Sequence, residues 1–186
     1  MEIKKLAKNT LNFAINRIIQ IIGISIIIIG LLLLISLLSY SPEDPNFIFP
    51  ENSTIQNILG FHGSFISDIF FQSFGLITLL IPFSFTFTGL NIFLSKKILL
   101  IIESLFFVIL YSLLGSLFFS KFYPDAFKLY INGNGGFVGS FLDKTFLNSL
   151  IDLNIQLSYY LLIIIIITLF LISTQFKILS FYAFSK

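Results

Sequence analysis

Apolar positions in this chain come in long blocks separated by short polar ones. The first block, residues 18–38, contains no charged residue. At about 1.5 Å per residue it reaches about 30 Å, the thickness of a bilayer hydrocarbon core. Three further blocks follow, at 69–94, 98–119 and 155–173, the first of these interrupted by Pro82. This pattern predicts an all-α membrane protein with four transmembrane helices. Pro82 removes one backbone hydrogen bond and is expected to kink the second span, with Ser84, Thr86 and Thr88 close enough to re-satisfy the backbone.

Ahead of the first span, Ile3, Leu6, Ala7, Leu11 and Ala14 recur at helical spacing, and Lys4, Lys5, Lys8, Asn12 and Arg17 fall largely elsewhere. Residues 1–17 therefore read as a basic amphipathic helix on the cytoplasmic leaflet, where anionic lipid favours each Lys by about 1 kcal/mol. Docking to a protein partner is the other reading. A cleaved signal peptide fits poorly, because the apolar run is too long and no A-x-A site follows.

Charge then orients the spans. Segment 39–75 carries Glu43, Asp44, Glu51 and Asp68 and no Lys or Arg. Segment 120–154 holds Lys121, Lys128 and Lys144 with Asp125, Asp143 and Asp152. Lys4, Lys5, Lys8, Arg17, Lys96, Lys97, Lys177 and Lys186 all fall on the opposite side. The positive-inside rule then places both termini in the cytoplasm, with residues 177–186 as the start of a cytoplasmic linker. Tyr40, Tyr123, Tyr159 and Tyr160 mark the outer interface as an aromatic belt.

The two outer segments are expected to contain short helices. Ser41, Pro42 and Asp44 have the order of a helix start, although Pro42 and Pro45 would equally make a plain turn. A tight turn through Gly133, Gly135, Gly136 and Gly139 leads into an amphipathic helix at about 138–150. Within the spans, Gly75, Pro82 and Gly89 recur every seven residues, as do Gly23 and Gly30. These faces read as helix-packing surfaces, since small residues let membrane helices approach closely. Glu103 is the one acidic side chain expected inside a span. Lys96 precedes it by seven residues, so a snorkelling, paired Glu103 is preferred to an ion relay.

Composition narrows the chemistry. The chain has 186 residues, 56% of them hydrophobic and 11% charged, a mean hydropathy of +0.99 and a net charge of +2. Cysteine is absent and His62 is the single histidine. Disulfides, thiolate ligands and thiol nucleophiles are thereby excluded, and a protein-built zinc site is improbable. His62 and Asp68 do not share a helix face at a spacing of six, and the dipole at the start of the second span accounts for Asp68. The glycine segment misses G-x-G-x-x-G because Val138 stands in the last position, and neither G-x-x-x-x-G-K-[ST] nor H-E-x-x-H occurs. No active site, cofactor or metal is expected.

Ser39-Tyr40-Ser41-Pro42-Glu43-Asp44-Pro45, followed by Asn57, Gly60, Gly63, Asp68, Phe71, Phe74 and Gly75, resembles the first extracytoplasmic loop of the FtsK/SpoIIIE family of bacterial DNA translocases. Gly133-Asn134-Gly135-Gly136-Phe137-Val138-Gly139 is similar to the glycine motif before that family's fourth span. Phe47 stands where an aromatic, often Trp, is expected, and Ser64 and Ser67 stand where alanines are common. The resemblance implies an inner-membrane domain, hexameric, that anchors a cytoplasmic ATP-driven DNA motor at the division septum and contacts other division proteins. DNA would be reached only through that motor, which these 186 residues do not include. The alternatives are a small multi-pass transporter or channel subunit using Pro82 and Glu103, or a stand-alone division scaffold.

Overall fold

A computed structural model describes residues 2–45, 54–124 and 132–175, with side chains from residue 8 onward. The expectations for Phe47, Glu51, Asp125 and Lys128, for the linker start at 177–186 with Lys177 and Lys186, and for the side chains of Lys4 and Lys5 lie outside the described residues. Among the described residues, seven α-helices and one 3-10 helix follow in order: α1 (Glu2–Leu38), α2 (Gly60–Phe74), the 3-10 helix (Gly75–Leu80), α3 (Ile81–Ser95), α4 (Leu100–Phe122), α5 (Gly136–Asp143), α6 (Phe146–Asp152) and α7 (Ile155–Ser173). No strand occurs among the described residues. Among the described residues, four stretches are long and apolar enough to cross a membrane: Lys8–Leu38, Gly60–Ser95, Leu100–Phe122 and Ile155–Ser173. Their many isoleucines are mediocre helix formers in water, but in hydrocarbon only a helix satisfies the backbone from within the segment.

The lead-in, expected to lie on the membrane surface, and the first span are one continuous helix, with no break between Arg17 and Ile18. α1 makes its most extensive contact with α3, and α7 makes its own with α4. At one end of the bundle, the hairpin end, Lys96 turns α3 into α4 in the left-handed conformation (φ 57°), donating its N–H to Ile92 O at 2.8 Å. Gln20 of α1 reaches Phe93 O there, and Gln175, just past α7, reaches Leu100 O. The start of α1 and the end of α7 therefore share this end. The other, the cap end, carries α2, α5, α6 and the loops.

The second span departs from the sequence expectation. Its break is the 3-10 stretch Gly75–Leu80, entered through Gly75 at φ +71°, and Pro82 sits harmlessly in the first turn of α3. A proline there loses only an N–H that has no helical partner anyway. Thr86 bonds back to Pro82 O at 2.8 Å, but Ser84 and Thr88 turn to other helices. The 3-10 stretch and α3 together reach about 34 Å at about 2.0 and 1.5 Å per residue, enough to cross the core by themselves.

α2 takes a different course. Gly63 lies beside Ser36 of α1, whose hydroxyl donates to Gly63 O at 2.6 Å. Phe71 packs its ring on Tyr40 at 4.7 Å, and Phe74 O accepts from Ser116 of α4 at 2.8 Å. Gly30 is level with Pro82 and Thr86, so Ser36, six residues on, is level with the 3-10 stretch; Ile77 within that stretch touches Gly115. The start of α2 thus lies beside the C-terminal part of α1 and its end beside α4. α2 runs obliquely across the bundle, from α1 to α4, before the chain turns down at Gly75.

The expected helix at 138–150 is two helices, α5 and α6, separated at Thr145, whose hydroxyl caps α6 by accepting from Leu147 N–H at 3.3 Å. Segment 41–45 takes the plain-turn alternative, closed by Asp44 N–H to Ser41 O at 3.2 Å.

Candidate functional site

Three assemblies of polar and small residues organise the bundle. The first is the crossing of α1 and α3. A Cβ added at Gly23 would lie 2.8 Å from Gly89 O and Phe93 N, one at Gly89 would lie 2.6 Å from Gly23 O, and one at Gly30 would meet Thr86 and Pro82 O. Gly23, Gly30, Pro82 and Gly89 therefore meet at one backbone-to-backbone contact. Such approaches gain dispersion where lipid offers no hydrophobic driving force between helices. Gly75 is not part of this face; it belongs to the third assembly.

The second assembly ties loop to helix at the cap end. Asp44 is 1% exposed, and its carboxylate accepts from Gln56 N–H at 2.7 Å and Asn57 N–H at 2.9 Å. Asn57 in turn donates to Ser36 O (2.9 Å) and Ser39 O (3.2 Å), occupying carbonyls that α1 leaves open at its C-terminus. Its side-chain oxygen accepts from Leu59 N–H, starting the chain toward α2. Ser64 donates to Pro45 O at 3.1 Å, next to the Ser41 and Pro42 turn. Asp68, in the middle of α2 and not at a helix start, is held by the Tyr40 hydroxyl at 3.1 Å. His62 is exposed on α2, with its ring edge against Phe61.

The third assembly is a seam between the glycine loop and the broken span. Leu76 N–H, orphaned by the break, donates to Asn134 O at 2.9 Å. Phe74 O is taken by Ser116, and Thr78 reaches back to Phe70 O at 3.1 Å and to Gly75 O. Each glycine here makes room for backbone. A Cβ at Gly75 would fall 1.9 Å from Asn134 O, one at Gly136 (φ +66°) 2.6 Å from Ser73 O, and those at Gly135 and Gly139 within 2.5 Å of Ser116 O. Gly133 (φ +67°) faces nothing among the described residues closer than Pro124 O at 3.6 Å and supplies the turn. Asn134, wholly buried, donates its amide to Tyr123 O, while its own side-chain oxygen has no partner among the described residues.

A buried polar ladder joins α3, α4 and α7. Ser84 meets Tyr111 at 3.1 Å and Ser173 at 2.7 Å, Thr88 donates to Ser104 at 2.7 Å, and Asn91 reaches Thr174 O. Sequence reasoning missed Ser104, Tyr111, Ser116 and Ser173. The available signal was the four-residue spacing of Ser84 with Thr88 and of Ser112 with Ser116 inside apolar helices. Glu103 is not in this ladder. It is exposed in the first turn of α4, and Lys96, as the cap of α3, lies off that helix and forms no ion pair with it among the described residues. An ion pair joins Lys121 to Asp152 at 2.8 Å, and the hydroxyls of Tyr123 and Tyr159 meet at 2.7 Å. No group of three or more His, Cys, Asp or Glu side chains able to hold a metal occurs among the described residues.

Residues 16–183 match the family described as the 4TM region of DNA translocase FtsK/SpoIIIE. Three curated relatives, each named DNA translocase FtsK, are similar. The Rickettsia prowazekii protein is 28% identical over 169 residues, 89% of this chain and 23% of that protein. That of Rickettsia typhi is 29% identical over 66% of this chain and 16% of its own length, and that of Rickettsia bellii 39% identical over 34% and 8%. The chain thus spans less than a quarter of the length of these relatives. No solved structure matches it. With four membrane-crossing stretches, and with the glycine seam and the Asp44 turn both inside the matched residues, this chain belongs to the FtsK/SpoIIIE family as its four-transmembrane membrane domain, a multi-pass domain of the inner membrane.

Proposed function

We propose that this domain is the non-catalytic anchor of an FtsK-like translocase, holding a cytoplasmic ATP-driven DNA motor at the division septum during cell division and chromosome segregation. The observation that carries this reading is the family match over residues 16–183, which takes in the whole bundle and both cap segments. On this reading the cap end faces outward and the hairpin end, with Lys8, Arg17, Lys96 and Lys97, faces the cytoplasm. A motor joined beyond α7 by a linker then lies on the same side as the start of α1. Tethering several motors in one membrane patch raises their effective concentration without new chemistry. The homo-oligomer, hexameric by family resemblance, forms through these spans, and other division proteins meet the cap. Cofactors play no part in the domain's own role.

The transporter or channel alternative gains nothing from Glu103, which is exposed and away from the polar ladder. The test is localisation. A fluorescent fusion of the 186-residue chain, expressed in dividing cells, should gather at midcell; uniform membrane fluorescence overturns the septal reading.

A further inference from the structure

Because α2 crosses the bundle instead of descending through it, it roofs a space that the other helices do not fill. This groove has a volume of about 580 Å³, inside the range of small-molecule sites. Ile29, Leu32 and Leu33 of α1 form one wall, Phe85 of α3 the back, and Ile66 and Phe70 of α2 the roof. His62 stands at the rim. Ile29 and Leu32 also belong to the exposed apolar stripe that α1 presents to the bilayer together with Ile24, Ile28 and Ile35. The groove is therefore continuous with the lipid-contacting surface of the first span, and it opens sideways into hydrocarbon.

We infer that this groove holds one acyl chain of a phospholipid from the leaflet on the cap side. An apolar cavity does not retain water, since a buried water needs polar partners. An empty one forfeits the dispersion contacts of its walls. The hydrocarbon already bathing Ile28 and Ile29 fills it with no new desolvation. Depth agrees with a chain entering near its headgroup. His62 is next to Gly63, which is level with Ser36, two residues from the end of α1. An imidazole at that level lies close to the boundary between acyl chains and headgroups. The bound chain would support α2 from below while the Asp44 and Asn57 network holds it from the side.

The chain contains no tryptophan, so one introduced residue reports alone. Ile66→Trp in the roof and Leu32→Trp in the wall are compared with Ile109→Trp on the exposed face of α4. Each variant, as the full 186-residue chain in dodecyl maltoside micelles, is titrated with phosphatidylglycerol brominated on its acyl chains. A held chain quenches the groove reporters saturably, at a lipid mole fraction about tenfold below that needed at Ile109→Trp. Quenching at the same mole fraction for groove and control overturns the inference, since the groove would then see only bulk lipid. Quenching of the groove reporters by aqueous iodide in phosphatidylethanolamine and phosphatidylglycerol vesicles also overturns it, because α2 would then lie in water. So does insensitivity to both quenchers, which means that protein, for instance a second copy, fills the space. If Ile66→Trp does not insert, Leu32→Trp reports on the same groove from the opposite wall.

Discussion

Asp44 shows how much one buried side chain can organise when every oxygen has a donor. Its carboxylate receives two backbone N–H groups that the turn into Asn57 has no other way to pair. Replacing Asp44 by Ala leaves both buried donors empty, at about 1–3 kcal/mol for each. Asp44→Ala should therefore unfold at a lower fraction of denaturing detergent than the parent, while Asp44→Asn, which keeps one acceptor, should lose less. Two glycines separate conformational strain from steric conflict. Gly60 and Gly75 both have positive φ, but nothing among the described residues lies within 4 Å of a Cβ at Gly60, whereas one at Gly75 strikes Asn134 O. Gly60→Ala should cost only the left-handed penalty, about 1–2 kcal/mol. Gly75→Ala should cost clearly more, because the loop must move, and the same detergent titration compares them.

Among the elements, close approach outweighs polar contact. Hydrogen bonds between membrane helices are worth about 0.6 kcal/mol on average, because the separated helices find other partners. Thr88→Val, which removes the bond to Ser104, should change stability by less than about 1 kcal/mol. Gly89→Leu one residue away pushes four carbons into the backbone of α1 at Gly23 and Ile27, and should separate the two helices. Crosslinking between cysteines placed at Ile27 and Thr86 would then fall. The elements also differ in how far hydropathy alone delimits them. α7 covers the same residues as the apolar block, 155–173, since no proline, glycine or charged residue interrupts it. The break in the second span was misplaced because Pro82 announces itself in a sequence, whereas Gly75 becomes a helix end only through Asn134, some sixty residues away. The split between α5 and α6 was lost for a similar reason: Thr145 is an ordinary residue in an amphipathic pattern until its hydroxyl caps the second helix. Asp44 and Asn57 were each visible as motif residues, but their pairing across thirteen positions has no local signature.

At the scale of the whole molecule, the proposed orientation is open to direct test, because the chain lacks cysteine. Single substitutions Lys97→Cys at the hairpin end and Lys144→Cys at the cap end should behave oppositely in intact cells. A membrane-impermeant maleimide should label position 144 and reach position 97 only after permeabilisation; the reverse pattern inverts the topology.

The oblique course of α2 and the lodging of α5 against Ser116 have a further consequence, one of area. Both helices add their width to the spans at the cap end, whereas at the hairpin end the start of α1 runs on as a single helix. The domain therefore takes up more area at its cap end than at the turn between α3 and α4.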